Sequence, residues 1–149
     1  MSFAVAGSAA PTVAQCSTHW LPGDGVPGTN GQVWATTMWD PDGPGPMSPV
    51  LVVGGRFTLA GPTPANCIAT YDPATGAWGA LGSGIPKDGI GHHGVHALAV
   101  LPTGELVAGG WFLQAGGVSA SHIARWNGST WSPLGAGTSH AVWALAVRP

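Results

Sequence analysis

An internal repeat constrains the fold of this chain more than any other feature of its sequence. Residues 51–57 and 106–112 share the pattern Leu-Val-x-Gly-Gly-x-Phe, and each is followed by a similar run, at residues 67–71 and 122–126. A tryptophan then follows in both copies, and equivalent residues recur at intervals of 47 to 55 positions. A period of this size, with short apolar runs between turn residues, indicates repeating units of about four β-strands.

Composition narrows the class of protein further. Glycine and proline make up about a quarter of the 149 residues, yet 44% of the residues are hydrophobic and 8 are tryptophan. A disordered chain lacks that apolar content, so short strands joined by glycine-rich turns are predicted, with almost no helix. With 4 Lys and Arg residues and a net charge of −2, the chain has no basic surface for nucleic acid. No apolar run approaches the ~20 residues of a membrane span, so no membrane insertion is expected.

The repeat divides the chain, taken as one domain of residues 1–149, into units. Residues 33–84 and 95–137 each hold a complete set of strands, whereas residues 1–25 match only the later strands of a degenerate unit. Residues 141–149 match only the innermost strand of a further unit. The predicted fold is therefore all-β, a β-propeller of four-stranded blades with about three blades per chain.

The spacing of aromatic residues after the double glycine carries a family resemblance. In the first complete unit Tyr71 and Trp78 are separated by six residues, and in the second Trp126 and Trp131 are separated by four. This pattern resembles kelch-type propeller repeats, and the longer signature is similar to propeller repeats of cell-surface proteins, including the fungal cortical polarity marker type. The resemblance implies a propeller and an extracellular or cell-surface setting, and it carries no activity. The copper ligands of a relative such as galactose oxidase are not traceable here, so no cofactor is expected.

The incomplete units at the two ends predict self-association. An unpaired apolar strand at the C-terminus needs a hydrogen-bonding partner, and the N-terminal strands lack an innermost strand. A three-bladed ring is too small, because propellers typically have about 4–8 blades. We therefore expect a homodimer of six blades, in which each C-terminal strand completes the first blade of the other chain. The alternative is a piece of a longer repeat protein.

Two histidines and two cysteines raise the question of a metal site or a disulfide. His93 and His140 each stand two residues before the valine that opens an innermost strand, so the repeat places them at one end of the central channel. There they are weak candidates to bind a metal ion or an anion, and the alternative is that they pack on neighbouring turns. Cys16 and Cys67 allow one disulfide or two buried thiols.

Tryptophans provide the candidate ligand site. Trp78 and Trp131 are equivalent, as are Trp34 and Trp143, and repetition at equivalent positions predicts core packing between blades. The alternative is sugar binding, because an aromatic face stacks on a pyranose while polar groups bond its hydroxyls. Trp39 and Trp111 have no equivalent tryptophan in the other repeat, so they are expected to be exposed. Together with nearby polar groups they are expected to bind a glycan. The candidate ligand residues are Trp39, Asp40, Arg56, Trp111 and Arg125.

The function predicted from these features is non-catalytic. No set of nucleophile, base and acid is visible in the sequence, and the acidic residues lie mostly in Pro/Gly turns, where aspartate caps its own backbone. A lectin-like module for binding or display, with carbohydrate as ligand, is the leading interpretation. The second is a purely structural or assembly module of a cell-surface protein, and the third is an enzyme with its site in the propeller channel.

Overall fold

The computed structural model describes residues 28–86 and 93–148 of the chain. In these two segments the regular structure consists of twelve β-strands and no helix, which confirms the all-β prediction. In chain order, the strands are β1 (Gln32–Trp39), β2 (Val50–Arg56), β3 (Leu59–Ala60), β4 (Thr63–Pro64), β5 (Ile68–Asp72), β6 (Ala77–Ala80), β7 (Gly94–Val100), β8 (Leu106–Trp111), β9 (Gln114–Ala115), β10 (Val118–Ser119), β11 (Ile123–Trp126) and β12 (Trp131–Pro133).

The long strands form two four-stranded antiparallel sheets of the same order. The first is β1-β2-β5-β6 and the second is β7-β8-β11-β12, so the two sheets reproduce the repeat seen in the sequence. Each unit also contains a hairpin of two-residue strands, β3–β4 or β9–β10, which the sequence pattern did not predict because two residues show no periodicity. Within the described residues the sheets do not close into a ring. The described residues also contain no helix that is long and apolar enough to cross a membrane.

The first glycine of each double glycine allows the innermost strand of the next unit to pack closely against it. A Cβ atom added to Gly54 would lie 2.5 Å from Val95 Cγ1, and one added to Gly109 would lie 2.6 Å from Val142 Cγ1. Real side chains do not tolerate such contacts, so only glycine fits at these two buried positions. Strand β7 therefore packs against the first sheet at the position where Val142 packs against the second.

Residues 141–148 thus occupy the place predicted for an innermost strand. The amide of Val142 donates a hydrogen bond to the carbonyl of Gly110, with an N–O distance of 3.1 Å. The segment is nevertheless not a regular strand. The predicted strands of residues 1–25, including Cys16, lie outside the described residues. Cys67 is buried.

Two tryptophans connect the sheets reciprocally. Trp39 of the first sheet donates its indole N–H to the carbonyl of Gly104 in the second, at 2.8 Å. Trp131 of the second donates to the carbonyl of Leu81 next to the first, also at 2.8 Å. Both indoles are buried, so the prediction that Trp39 is exposed is wrong: the turn at Gly104 covers it. The core prediction holds for Trp131.

The main core lies between the two sheets. Its members come from both repeats and include Phe112 and Ile85, which are fully buried. A smaller cluster around Phe57 lies within the first unit. Phe57 and Phe112 are equivalent in the repeat, so each unit contributes one buried phenyl ring directly after its double-glycine strand. This packing holds the ends of β2 and β8, where candidate ligand residues are found, in fixed positions.

Candidate functional site

Each innermost strand has a β-bulge near its start, and the aromatic residue at the bulge has no partner residue in the neighbouring strand. The pairing of β1 with β2 skips Trp34, and the pairing of β7 with β8 skips His96. The extra residue brings the innermost strand close to its neighbour, and the second glycines, Gly55 and Gly110, make room for it. An added Cβ at either glycine would collide with the backbone of the innermost strand. Each double glycine is therefore needed for two close contacts. The first glycine contacts the valine of the next unit, and the second contacts the backbone of the innermost strand of its own sheet.

The rings at these positions form a stack that we call the aromatic ladder, composed of Trp34, His96 and Trp143. The centroids of Trp34 and His96 are 4.3 Å apart and their planes differ by 5°. His96 and Trp143 are also 4.3 Å apart, at an angle of 50°. Trp143 is 58% exposed, so the prediction that it packs in the core is wrong.

Next to the ladder lies a concave site that we call the Trp111 pocket. It has a volume of about 260 Å³ and is lined by Trp111, His122, Ser139, His140, Ala141 and Trp143. Trp111 is 42% exposed, as the sequence predicted, and its indole stacks against His93 with a centroid distance of 5.5 Å. The pocket thus brings together two exposed indoles and several polar groups at the end of β8.

His122 lines the pocket although the sequence did not indicate it, as do Ser139 and Ala141. It is buried, and its backbone has a φ of 66°, a left-handed conformation that is uncommon for a residue other than glycine. Its amide donates to the carbonyl of Phe112, and its carbonyl accepts from the amide of Gly110, so backbone bonds hold the strained turn. Among the described residues its Nδ1 atom has no hydrogen-bond partner. Cys67, with a φ of 60°, takes the same place in the first unit.

A second concavity lies at the opposite ends of the strands, and we call it the Asp40 cleft. Its volume is about 400 Å³, and its lining includes Asp40, Asp42 and Glu105. Arg125 is held near this cleft by an ion pair with Glu105, at 3.5 Å, and by a hydrogen bond from its Nε to Ser132 Oγ at 3.1 Å.

The structure separates the five predicted ligand residues into two groups. Trp39, Asp40 and Arg125 lie at the end of the Asp40 cleft, whereas Arg56 and Trp111 lie at the end of the Trp111 pocket. The eight residues of β1 span seven steps of about 3.3 Å, so its two ends are roughly 23 Å apart. One small ligand therefore does not contact both groups.

The weak metal candidates lie in or beside the Trp111 pocket. His93 stacks on Trp111, and His140 lines the pocket with its Nδ1 atom 3.1 Å from the hydroxyl of Ser139. Across residues 28–86 and 93–148, no three His, Cys, Asp or Glu side chains converge in a metal-binding geometry.

The Trp111 pocket combines an apolar surface with groups that can form hydrogen bonds. Two indoles and two imidazoles line the Trp111 pocket. Comparison of the chain with protein-family models, with curated proteins and with solved structures finds no match.

Proposed function

We propose that this chain is a non-catalytic binding module whose ligand is a carbohydrate held in the Trp111 pocket. The observation that carries the proposal is the pair of exposed indoles, Trp111 and Trp143, on one concave surface. Aromatic rings stack on the apolar face of a pyranose, and a few placed polar groups fix its orientation. His122, Ser139 and His140 supply such groups in the lining of the pocket.

The dimensions of the pocket favour a small ligand. Its volume of about 260 Å³ lies below the ~300–1,000 Å³ of sites for drug-sized molecules. One sugar ring, presented as the end or a branch of a glycan, matches that size better than a buried oligosaccharide does. Trp111 stacks on His93, and Trp143 packs against His96 at an angle of 50°, so both indoles are held by neighbouring rings and little ordering opposes binding.

The architecture that we propose around this pocket is a β-propeller completed by a second copy of the chain. Two sheets of identical strand order, packed through their innermost strands, support this interpretation. The contact of Val142 with Gly109 repeats that of Val95 with Gly54, so residues 141–148 stand where a third blade would begin. A second copy supplies the missing strands and gives six blades. Sedimentation over a concentration series tests this: a mass of twice 14.9 kDa is expected, and a monomer at all concentrations contradicts it.

Glycan-array screening followed by titration calorimetry tests the carbohydrate proposal. We expect the wild-type protein to bind at least one neutral or acidic glycan, and Trp111→Ala or Trp143→Ala to weaken binding at least tenfold. Both side chains are exposed, so their removal leaves the core intact. Arg125→Gln, at the opposite ends of the strands, is the matched control and leaves affinity unchanged. Absence of binding to every glycan, or full affinity in Trp111→Ala, contradicts the proposal.

A structural or assembly role is the second candidate, and the buried tryptophans favour it. Trp39, Trp126 and Trp131 lie in the core between the sheets, and two of them join the sheets by hydrogen bonds. A protein that forms the dimer and binds no glycan in the screen fits this role instead of the lectin-like one.

A further inference from the structure

Four residues that line the Trp111 pocket have equivalents one repeat earlier in the chain. Gly54 and Gly109 are equivalent, as are Val95 and Val142, and this alignment identifies them. In the earlier repeat, a cationic residue, Arg56, stands at the position of the exposed aromatic residue Trp111. Trp111, His122, His140 and Trp143 correspond, in this order, to Arg56, Cys67, His93 and His96.

Arg56 is a charged group whose bonding capacity is not used within the described structure. Its side chain is half-buried, and its Nε atom is fully buried without a hydrogen-bond partner among the described residues. No carboxylate in residues 28–86 and 93–148 forms an ion pair with it, whereas Arg125 is paired with Glu105. The Nε atom itself is shielded from solvent, so an anion would bind the terminal nitrogens of the guanidinium, which no described carboxylate pairs.

Arg56 also lies close to the Trp111 pocket. Gly94 pairs with Trp111 in the second sheet, and on its other side it approaches the backbone oxygen of Gly55, the residue before Arg56. The backbones of Arg56 and Trp111 are therefore separated by about two strand spacings, on the order of 10 Å. His93, which directly precedes Gly94, stacks on Trp111. Arg56 does not line the pocket itself, so the part of a ligand that would meet it is a group next to the sugar in the pocket.

We propose that Arg56 binds an anionic group of the same ligand, so that the preferred glycan is acidic and carries a carboxylate or a sulfate next to the sugar in the Trp111 pocket. The planar guanidinium donates paired hydrogen bonds to such oxyanions. This inference rests on the proposed carbohydrate function for the identity of the ligand, although the anion site itself does not require a sugar.

Calorimetry at low salt with three probes tests the inference. The probes are a galacturonic acid disaccharide, the matching neutral galactose disaccharide, and inorganic sulfate alone. We expect the acidic disaccharide to bind at least tenfold more tightly than the neutral one, and Arg56→Gln to remove that difference. Arg125→Gln makes the same charge change at the opposite ends of the strands and leaves the difference intact. Equal affinity for both disaccharides in the wild type, or a preference that survives in Arg56→Gln, overturns the proposal.

Sulfate separates this inference from the proposed function. Binding of sulfate by wild type and Trp111→Ala, with loss in Arg56→Gln, supports the anion site even if no disaccharide binds and the carbohydrate proposal fails. Binding of the neutral disaccharide that depends on Trp111, without sulfate binding, leaves the carbohydrate proposal standing and overturns the anion site. Arg56→Lys keeps the charge without the planar pair of donors, and it replaces Arg56→Gln if that variant does not fold. We expect it to retain weakened sulfate binding and at most a partial preference for the acidic disaccharide.

Discussion

The side chain of Val95 lies directly over Gly54, where an added Cβ atom would be 2.5 Å from its Cγ1. The same contact recurs between Val142 and Gly109, at 2.6 Å. A glycine in the middle of a buried strand normally weakens that strand. Here it is required, because the valine of the next unit fills the space that a side chain would take. The contact therefore couples each repeat to the one that follows.

We expect Gly54→Ala to destabilise the protein by about 1–3 kcal/mol, the usual cost of over-packing a well-packed core. Gly109→Ala is expected to have a smaller or equal effect, because Val142 lies in the more exposed C-terminal segment. Gly28→Ala is the matched control, since a Cβ there meets no atom within 4 Å. Chemical denaturation measures all three. An unchanged midpoint for Gly54→Ala contradicts the close contact.

Replacing Val95 in the Gly54→Ala background tests whether the clash is specific. Val95→Ala alone leaves a cavity and destabilises the protein, whereas in the double variant the added methyl group occupies part of that space. The double variant is therefore expected to be more stable than the sum of the two single changes predicts, with a coupling of about 0.5–3 kcal/mol. Strict additivity would show that Val95 and Gly54 do not touch.

Trp131→Phe is expected to cost more stability than Trp39→Phe. Both changes remove an indole N–H that donates to a backbone carbonyl at 2.8 Å. The carbonyl of Leu81 keeps the hydrogen bond from the amide of Gly84, at 3.1 Å, but it belongs to a buried residue where water does not replace the lost bond, so the change costs about 0.5–1.5 kcal/mol. Gly104 is exposed, and its carbonyl regains a bond to water. Thermal or chemical unfolding of the two variants gives the comparison. The reverse order would contradict it.

Asp72 is expected to make the protein less stable in acid. The hydroxyl of Thr75 and the amide of Ala74 donate hydrogen bonds to its carboxylate, and they hold the pKa of Asp72 below its ordinary value of 3.8. A carboxyl whose pKa is lower in the folded state stabilises the fold above its unfolded pKa. This contribution is lost as the pH falls from about 4 through the folded pKa.

Thr75→Ala tests the origin of that shift. Without the hydroxyl, the pKa of Asp72 is expected to rise towards 3.8, and the dependence of stability on pH below 4 becomes weaker. NMR titration of the Asp72 carboxyl measures the pKa directly. Ser129→Ala, in an exposed turn where only the backbone amide of Ser129 bonds to Asn127, is the control and leaves the titration unchanged. A pKa for Asp72 that is the same in wild type and Thr75→Ala contradicts the assignment.

Arg125→Gln is expected to change the free energy of unfolding by less than about 1 kcal/mol. The ion pair of Arg125 with Glu105 is 3.5 Å long and its side chains are 44% and 24% exposed, so water screens it. Glu105→Gln serves as the partner change, and a double-mutant cycle isolates the pair. A coupling well above 1 kcal/mol would mean that the pair is more strongly shielded from water than its exposure indicates.

The candidate site was only partly predictable. The sequence marked Trp111 and His140 through their positions in the repeat, and both line the pocket. It also marked Trp39 as exposed, because a tryptophan that breaks the repeat has no equivalent partner to pack on. The turn of the neighbouring unit, at Gly104, supplies that partner instead. His122 carries no sequence signal, because nothing in a local pattern indicates a left-handed backbone at a histidine.

The sequence by itself determined the all-β class, the two repeated units and the positions of their longer strands, because each of these follows from local alternation, turn residues and periodicity. Only the tertiary structure decided why each double glycine is needed, which tryptophans are buried, and that the predicted ligand residues divide between opposite ends of the sheets. These properties depend on contacts between units, such as Val95 with Gly54 and Trp131 with Leu81. Residues so far apart in the chain meet only when whole sheets pack together.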